Sequence, residues 1–206
     1  MGYQSPTDDF EWPENTPYTG FLDEKARRLL SERHSDLRVV VHNRGISGEL
    51  TQDMLARFDR DVVALRPDAV ILLGGSNDLG WGFDPDEVAS NLTDMYDGAI
   101  SLDIQPVSCT IPSVLGYDEG IPPRIILNRL IDEASQKRRM TCVDIFSATA
   151  DSEGRLKKVY SNDGLHLSTQ GYRAMADAIF AEAAAPIILG RIDGLAPGSA
   201  GPQGDG

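Results

Sequence analysis

Asp68-Ala69-Val70-Ile71-Leu72-Leu73-Gly74-Gly75-Ser76-Asn77-Asp78 is the stretch on which the fold turns. An unbroken apolar run closed by two glycines reads as a strand buried on both faces, the mark of a parallel sheet. Three polar residues follow directly at its carboxyl end. On either side the apolar spacing changes to that of a helix. Upstream, Leu50, Met54, Phe58, Val62 and Leu65 step along one helical face until Pro67 ends it. Downstream, Pro85 occupies a place where a first helical turn tolerates proline, and Val88, Leu92, Met95 and Ala99 form a stripe.

The alternation continues outward. Leu22, Ala26, Leu29 and Leu30 predict a helix from about Tyr18, and Arg38 to Asn43, with three consecutive valines, predicts a strand. Ile104 to Cys109 reads as the next strand. A proline-rich loop from Pro112 to Pro123 precedes a helix carrying Leu127, Leu130, Ile131 and Ala134. Met140 to Ile145 reads as the last strand, and Tyr172, Met175, Ala176 and Ile179 as the final helix. Strands alternating with helices at this spacing predict an α/β fold around a parallel sheet. One domain is expected over residues 1–192. Residues 193–206 are glycine, proline and small side chains, read as a disordered tail.

Composition bounds the partners. A 206-residue chain with 41% apolar and 25% charged residues fits a single soluble domain. Nineteen basic against 32 acidic residues leave a net charge of −13, which repels nucleic acid and anionic membrane surfaces. No apolar stretch is long enough to span a bilayer, and the expected compartment is the cytoplasm. Cys109 and Cys142 sit inside apolar runs without metal or redox spacing, and read as small buried fillers. No metal or organic cofactor is implied. The oligomeric state stays open.

In open parallel sheets, sites form in loops beyond the carboxyl ends of the strands. Three polar blocks stand at such places or lead into the final helix: Asn43-Arg44-Gly45-Ile46-Ser47-Gly48, Gly74-Gly75-Ser76-Asn77-Asp78 and Asp163-Gly164-Leu165-His166. Each alone is weak, since glycine and asparagine suit ordinary tight turns and a lone histidine is usually unremarkable. A nucleotide-binding loop is excluded because the G-x-G-x-x-G spacing is missing. Together, in this order, the blocks resemble those of the SGNH (GDSL-like) hydrolases, over nearly the whole chain.

The resemblance implies a three-layer α/β/α, flavodoxin-like fold and a serine esterase acting on small acyl or acetyl esters or lysophospholipid-like substrates. A carbohydrate O-acetylesterase and a catalytically silent binding domain are the alternatives. A serine hydroxyl needs a base, which the resemblance assigns to His166, with Asp163 fixing its tautomer. Gly48 N–H and the Asn77 side-chain amide are implied as oxyanion donors. Trp81 and Phe83 follow a strand end and are candidate pocket walls, or simply cover for the core. Asp78 reads as a loop brace, and Ser47 and Ser76 stand where the family does not place its attacking group.

The family's first block, Gly-Asp-Ser-hydrophobic-Thr-x-Gly-Tyr, has only its last part here, as Met1-Gly2-Tyr3. The nucleophile is therefore expected three places ahead of Met1, with the first central strand before it. On that reading the 206 residues alone would be inactive and poorly stable, because a missing central strand leaves two rows of backbone groups unpaired.

Overall fold

The computed structural model describes residues 17–195 of the chain. Helix α1 spans Tyr18–Glu32 and buries Phe21, Leu22, Ala26 and Leu30. Leu22, Ala26 and Leu30 recur at four-residue steps with Phe21 beside them, as one helical face requires. The stripe from Leu50 to Leu65 is broken rather than continuous, with α2 at Thr51–Ala56 and α3 at Phe58–Asp61. Arg57 separates them at φ −106°, ψ 3°, outside helical geometry.

Strand β1 is Ala69–Leu72, and α4 is a short helix over Ser76–Gly80. Helix α5, Pro85–Ser101, starts at the proline, and the Asp84 side chain caps it by accepting from the Asp86 N–H. Strand β2 is Gln105–Cys109 and α6 is Ile121–Arg138. Strand β3, Thr141–Val143, is followed by α7 at Ile145–Thr149. Helix α8 runs over Thr169–Ile179, capped by the Ser168 hydroxyl. A wider π-type turn at Phe180–Ala184 leads into α9, Ala185–Leu195.

The three strands are parallel in the order β1-β2-β3, with Ala69 opposite Gln105 and Val107 opposite Thr141. Alternate strand residues face opposite layers, as a pleat dictates. Val107, Cys109 and Val143 meet Phe21 and Leu22 of α1 and Met175, Ala176 and Ile179 of α8. Leu72 meets Val88, Leu92, Met95 and Tyr96 of α5 and Leu127 and Ile131 of α6 on the other face. This is the expected three-layer α/β/α arrangement around a parallel sheet. Both cysteines are free thiols, Cys109 buried and Cys142 half-buried, and burial pushes the Cys109 thiol well above its ordinary pKa.

Two readings of the chain need correction. Arg38–Asn43 is not a strand: it pairs with nothing among the described residues, and Val40 is 70% exposed. Three valines supply β-propensity, but a strand also needs a ladder partner. Val39 instead packs against Ala26, Leu30 and Ile188. The second concerns the end of the domain, because α9 continues through Asp193 and Gly194 to Leu195, past residue 192. The rest of the expected tail, 196–206, and residues 1–16, which hold Met1-Gly2-Tyr3, lie outside the described residues. No helix among the described residues is long and apolar enough to cross a membrane.

Candidate active site

The loop after β1 brings two of the polar blocks together. Gly75 sits at φ +109°, and a Cβ there would meet Leu127 Cδ2 at 2.7 Å and Val88 at 2.9 Å. Only glycine fits that turn, which aims α4 at the carboxyl end of the sheet. Asn77 Nδ2 donates to the Glu49 carbonyl at 2.9 Å, so the Asn77 amide lies against the Glu49–Leu50 peptide, one residue past Gly48. One amide N–H is thereby engaged and a second is left to donate. Gly48 itself has φ +78°, with open space where a Cβ would stand.

Asp78 is the brace that the sequence suggests. It is 3% exposed, and its carboxylate accepts from the Thr51 N–H at 3.0 Å and the Thr51 hydroxyl at 2.6 Å. Asn91 Nδ2 donates to the same hydroxyl at 3.1 Å, tying α5 into the network. A second clamp holds Glu49, whose carboxylate takes both Nε, at 2.5 Å, and Nη2 of Arg57. Arg57 Nη1 also reaches Asp61 at 2.9 Å. The Glu49 hydrogen bond is the main reason that the Arg57 pKa is raised. Asp61, bonded first by Arg60 and then by Arg57, is held well below the usual carboxylate range.

The third block is a self-contained loop ahead of α8. Asp163 Oδ1 accepts from the backbone N–H groups of His166 at 2.8 Å and Leu165 at 3.0 Å, and Oδ2 lies 2.7 Å from His166 Nδ1. These bonds, led by the His166 backbone N–H, hold the Asp163 carboxyl well below its ordinary pKa. The carboxylate fixes Nδ1 as the protonated nitrogen and leaves Nε2 as the basic one. Both side chains are open to solvent, His166 at 67% and Asp163 at 55%.

The segment after β2 joins the two halves. Leu115 N–H donates to the Gly164 carbonyl at 2.8 Å. Gly164 has φ +95°, and a Cβ there would lie 2.4 Å from the Leu115 carbonyl oxygen. On the other side, Arg124 Nη2 donates to the Ser76 hydroxyl at 3.0 Å and Nη1 to the Gly120 carbonyl at 3.0 Å. Burial lowers the Arg124 pKa from the usual guanidinium value.

A histidine bonded to a carboxylate and a side-chain amide with a spare N–H are group types that acyl-transfer sites can use. The profile of the GDSL-like lipase/acylhydrolase family matches residues 4–174. The chain belongs to that family. Carboxylic ester hydrolysis is the chemistry of GDSL-like acylhydrolases. A GDSL-like lipase from Bacteroides thetaiotaomicron superposes with a TM-score of 0.65 at 21% identity, over 84% of each chain. An acetylxylan esterase from Geobacillus stearothermophilus gives a TM-score of 0.67 at 23% identity, over 81% of this chain and 80% of that one. In sequence, an acetylxylan esterase from that organism is 39% identical over 56 residues, which is 27% of this chain and 26% of the esterase.

The candidate pocket residues part company. Phe83 packs into the α5–α6 core cluster, so it covers the core, whereas Trp81 is 78% exposed at the end of α4. Sequence reading missed Glu49, Arg57 and Arg124. Arg124 carried the least signal, since it follows Pro122-Pro123 at what reads as a loop boundary. His34 and His42 stay outside the site's hydrogen bonds.

Proposed function

We propose that this chain carries the acid–base and oxyanion machinery of a serine esterase for small acyl or acetyl esters. The observation behind the reading is the 2.7 Å contact of Asp163 Oδ2 with His166 Nδ1, which leaves Nε2 to take a hydroxyl proton. Gly-Asp-Ser occurs nowhere in the 206 residues; the reading takes the attacking group to be the hydroxyl of a serine. Its Oγ adds to the ester carbonyl as His166 Nε2 accepts the proton. The developing oxyanion is met by Gly48 N–H and the second N–H of Asn77 Nδ2. The tetrahedral adduct collapses with the His166 proton going to the leaving alkoxide. Water, deprotonated by the same nitrogen, then releases the acid and restores the serine.

Among substrates, an acetyl group on a carbohydrate has one specific observation in its favour, the 39% identity over 56 residues to an acetylxylan esterase. Lysophospholipid-like esters and a silent binding domain are the competing readings. The gene product that includes a Gly-Asp-Ser block ahead of residue 1 should hydrolyse p-nitrophenyl acetate. In it, His166→Ala should lower kcat about a thousandfold or more. Retained turnover in that variant would remove His166 from the base role. Robust turnover by the 206 residues alone would relocate the nucleophile. An in-frame stop codon immediately upstream would favour the silent domain. Acetylated xylooligosaccharides set against longer acyl esters would then separate the substrate classes.

A further inference from the structure

We infer that Arg124 is a positioning residue for the oxyanion side of this site, an inference that rests on the esterase reading above. Arg124 is 4% exposed, in the first turn of α6. No carboxylate pairs with it among the described residues. Its Nη atoms donate to the Gly120 carbonyl and the Ser76 hydroxyl, while Nε is buried without a hydrogen-bond partner.

This is an unfavourable place for a cation on three counts. A guanidinium stays protonated, so it cannot escape burial by losing its charge. A buried charge without a counter-charge destabilises the fold. The start of a helix also carries the positive end of the macrodipole, which repels it. Packing alone gives no reason to keep a charge here: an unbranched apolar side chain of similar length would fill the space, at the loss of the bonds to the Gly120 carbonyl and the Ser76 hydroxyl.

The function of the turn gives one. Ser76 is the residue before Asn77 and the first of α4. Arg124 therefore pins the start of α4 from behind, while the Glu49 carbonyl holds one Asn77 N–H from in front. Two anchors fix the direction of the second Asn77 N–H, which is the preorganisation an oxyanion donor needs. Arg124 is buried as a whole and its Nη2 is spent on the Ser76 hydroxyl, so it acts through Ser76 and not by touching substrate.

The test uses the esterase-active gene product, with His166→Ala as the control for the underlying reading. Arg124→Met should lower kcat about tenfold, with KM changed by less than about twofold, because misdirected donors act on the transition state. Its thermal midpoint should be unchanged or higher, which a merely structural arginine would not produce. Arg124→Lys should recover most of kcat. A kcat loss under about fivefold, a loss carried by KM, or a fall in kcat and thermal midpoint together without rescue by lysine would overturn the inference. Should Arg124→Met fail to fold, Ser76→Ala decides: a kcat loss of about threefold or more supports the inference, and unchanged kcat overturns it. If His166→Ala keeps its activity, the esterase reading fails first, whatever Arg124 does.

Discussion

The two halves of the candidate site are held by opposite means. On the oxyanion side, Asp78 is buried at 3% exposure and Thr51 at 0%, and Glu49, Arg57 and Asp61 form a nearly enclosed charge cluster. That half draws on four helices, α2, α3, α4 and α5, and depends on long-range bonds. On the acid–base side, Asp163 and His166 are three residues apart, exposed, and joined by bonds within a single loop. The first half is expensive to disturb for the whole fold. The second is cheap for the fold and, on the proposed esterase reading, costly for the chemistry.

That contrast can be broken most sharply at Asn77. Asn77→Ala in the esterase-active gene product should reduce kcat by about a hundredfold to a thousandfold, measured on p-nitrophenyl acetate. A smaller loss than about tenfold would take Asn77 out of the oxyanion hole. Next, Asp78→Ala should destabilise the fold by about 2–3 kcal/mol, since it strands the buried Thr51 N–H and hydroxyl; urea denaturation measures this. The matching change in the exposed half, Asp163→Asn, should move the denaturation midpoint far less while impairing catalysis. Equal destabilisation by the two would erase the distinction between the halves.

A pH series sharpens the same comparison. The Asp163 carboxyl is held well below its ordinary pKa, chiefly by the His166 backbone N–H. Its folded pKa lies below its unfolded value of about 3.9, so any stabilisation it gives is complete above that value and fades as pH falls through the folded one. The stability difference between the unsubstituted protein and Asp163→Asn should thus be flat from about pH 5 to about pH 8 and shrink only below about pH 4. A difference that already shrinks near pH 6 would mean that another group controls the loop. The smallest effect belongs to Trp81→Ala, which should change stability by no more than about 0.5 kcal/mol. Phe83→Ala should cost about 1–2 kcal/mol because part of its ring packs in the core. Calorimetry on the pair distinguishes a surface side chain from core cover.

Sequence pattern carried most of the fold where neighbours in the chain suffice. Helices α1, α5, α6 and α8 and strands β1, β2 and β3 follow from apolar periods that the layers then bury. It failed where the outcome depends on something distant. Arg38–Asn43 has the composition of a strand but no ladder to join. The stripe from Leu50 to Leu65 looks like one helix, yet Arg57 breaks it to reach Glu49 and Asp61. Helix α9 went unread because its apolar residues, among them Ile188, pack on α1 at a distance that no local pattern reveals. In the site, Asp163 and His166 were named through the family resemblance, and their bond is local. Asp78 was legible as a brace, but not its partner 27 residues away. Arg124 left no trace, since its meaning comes from the hydroxyl 48 residues earlier.

The contact between Leu115 and Gly164 bears on how this scaffold could diversify. Loops near a catalytic centre are the usual raw material for new substrate ranges, because they tolerate insertions and exchanges. Here the loop after β2 also shoulders the peptide that presents the histidine, with no room for a side chain between them. Gly116 and Tyr117 are exposed, but Gly116 sits at φ +78° and the Tyr117 ring packs on Gly120, so even the outer part of this loop is constrained. Changes that include Leu115 would disturb the loop that carries His166, because the Leu115 N–H is bonded to the Gly164 carbonyl.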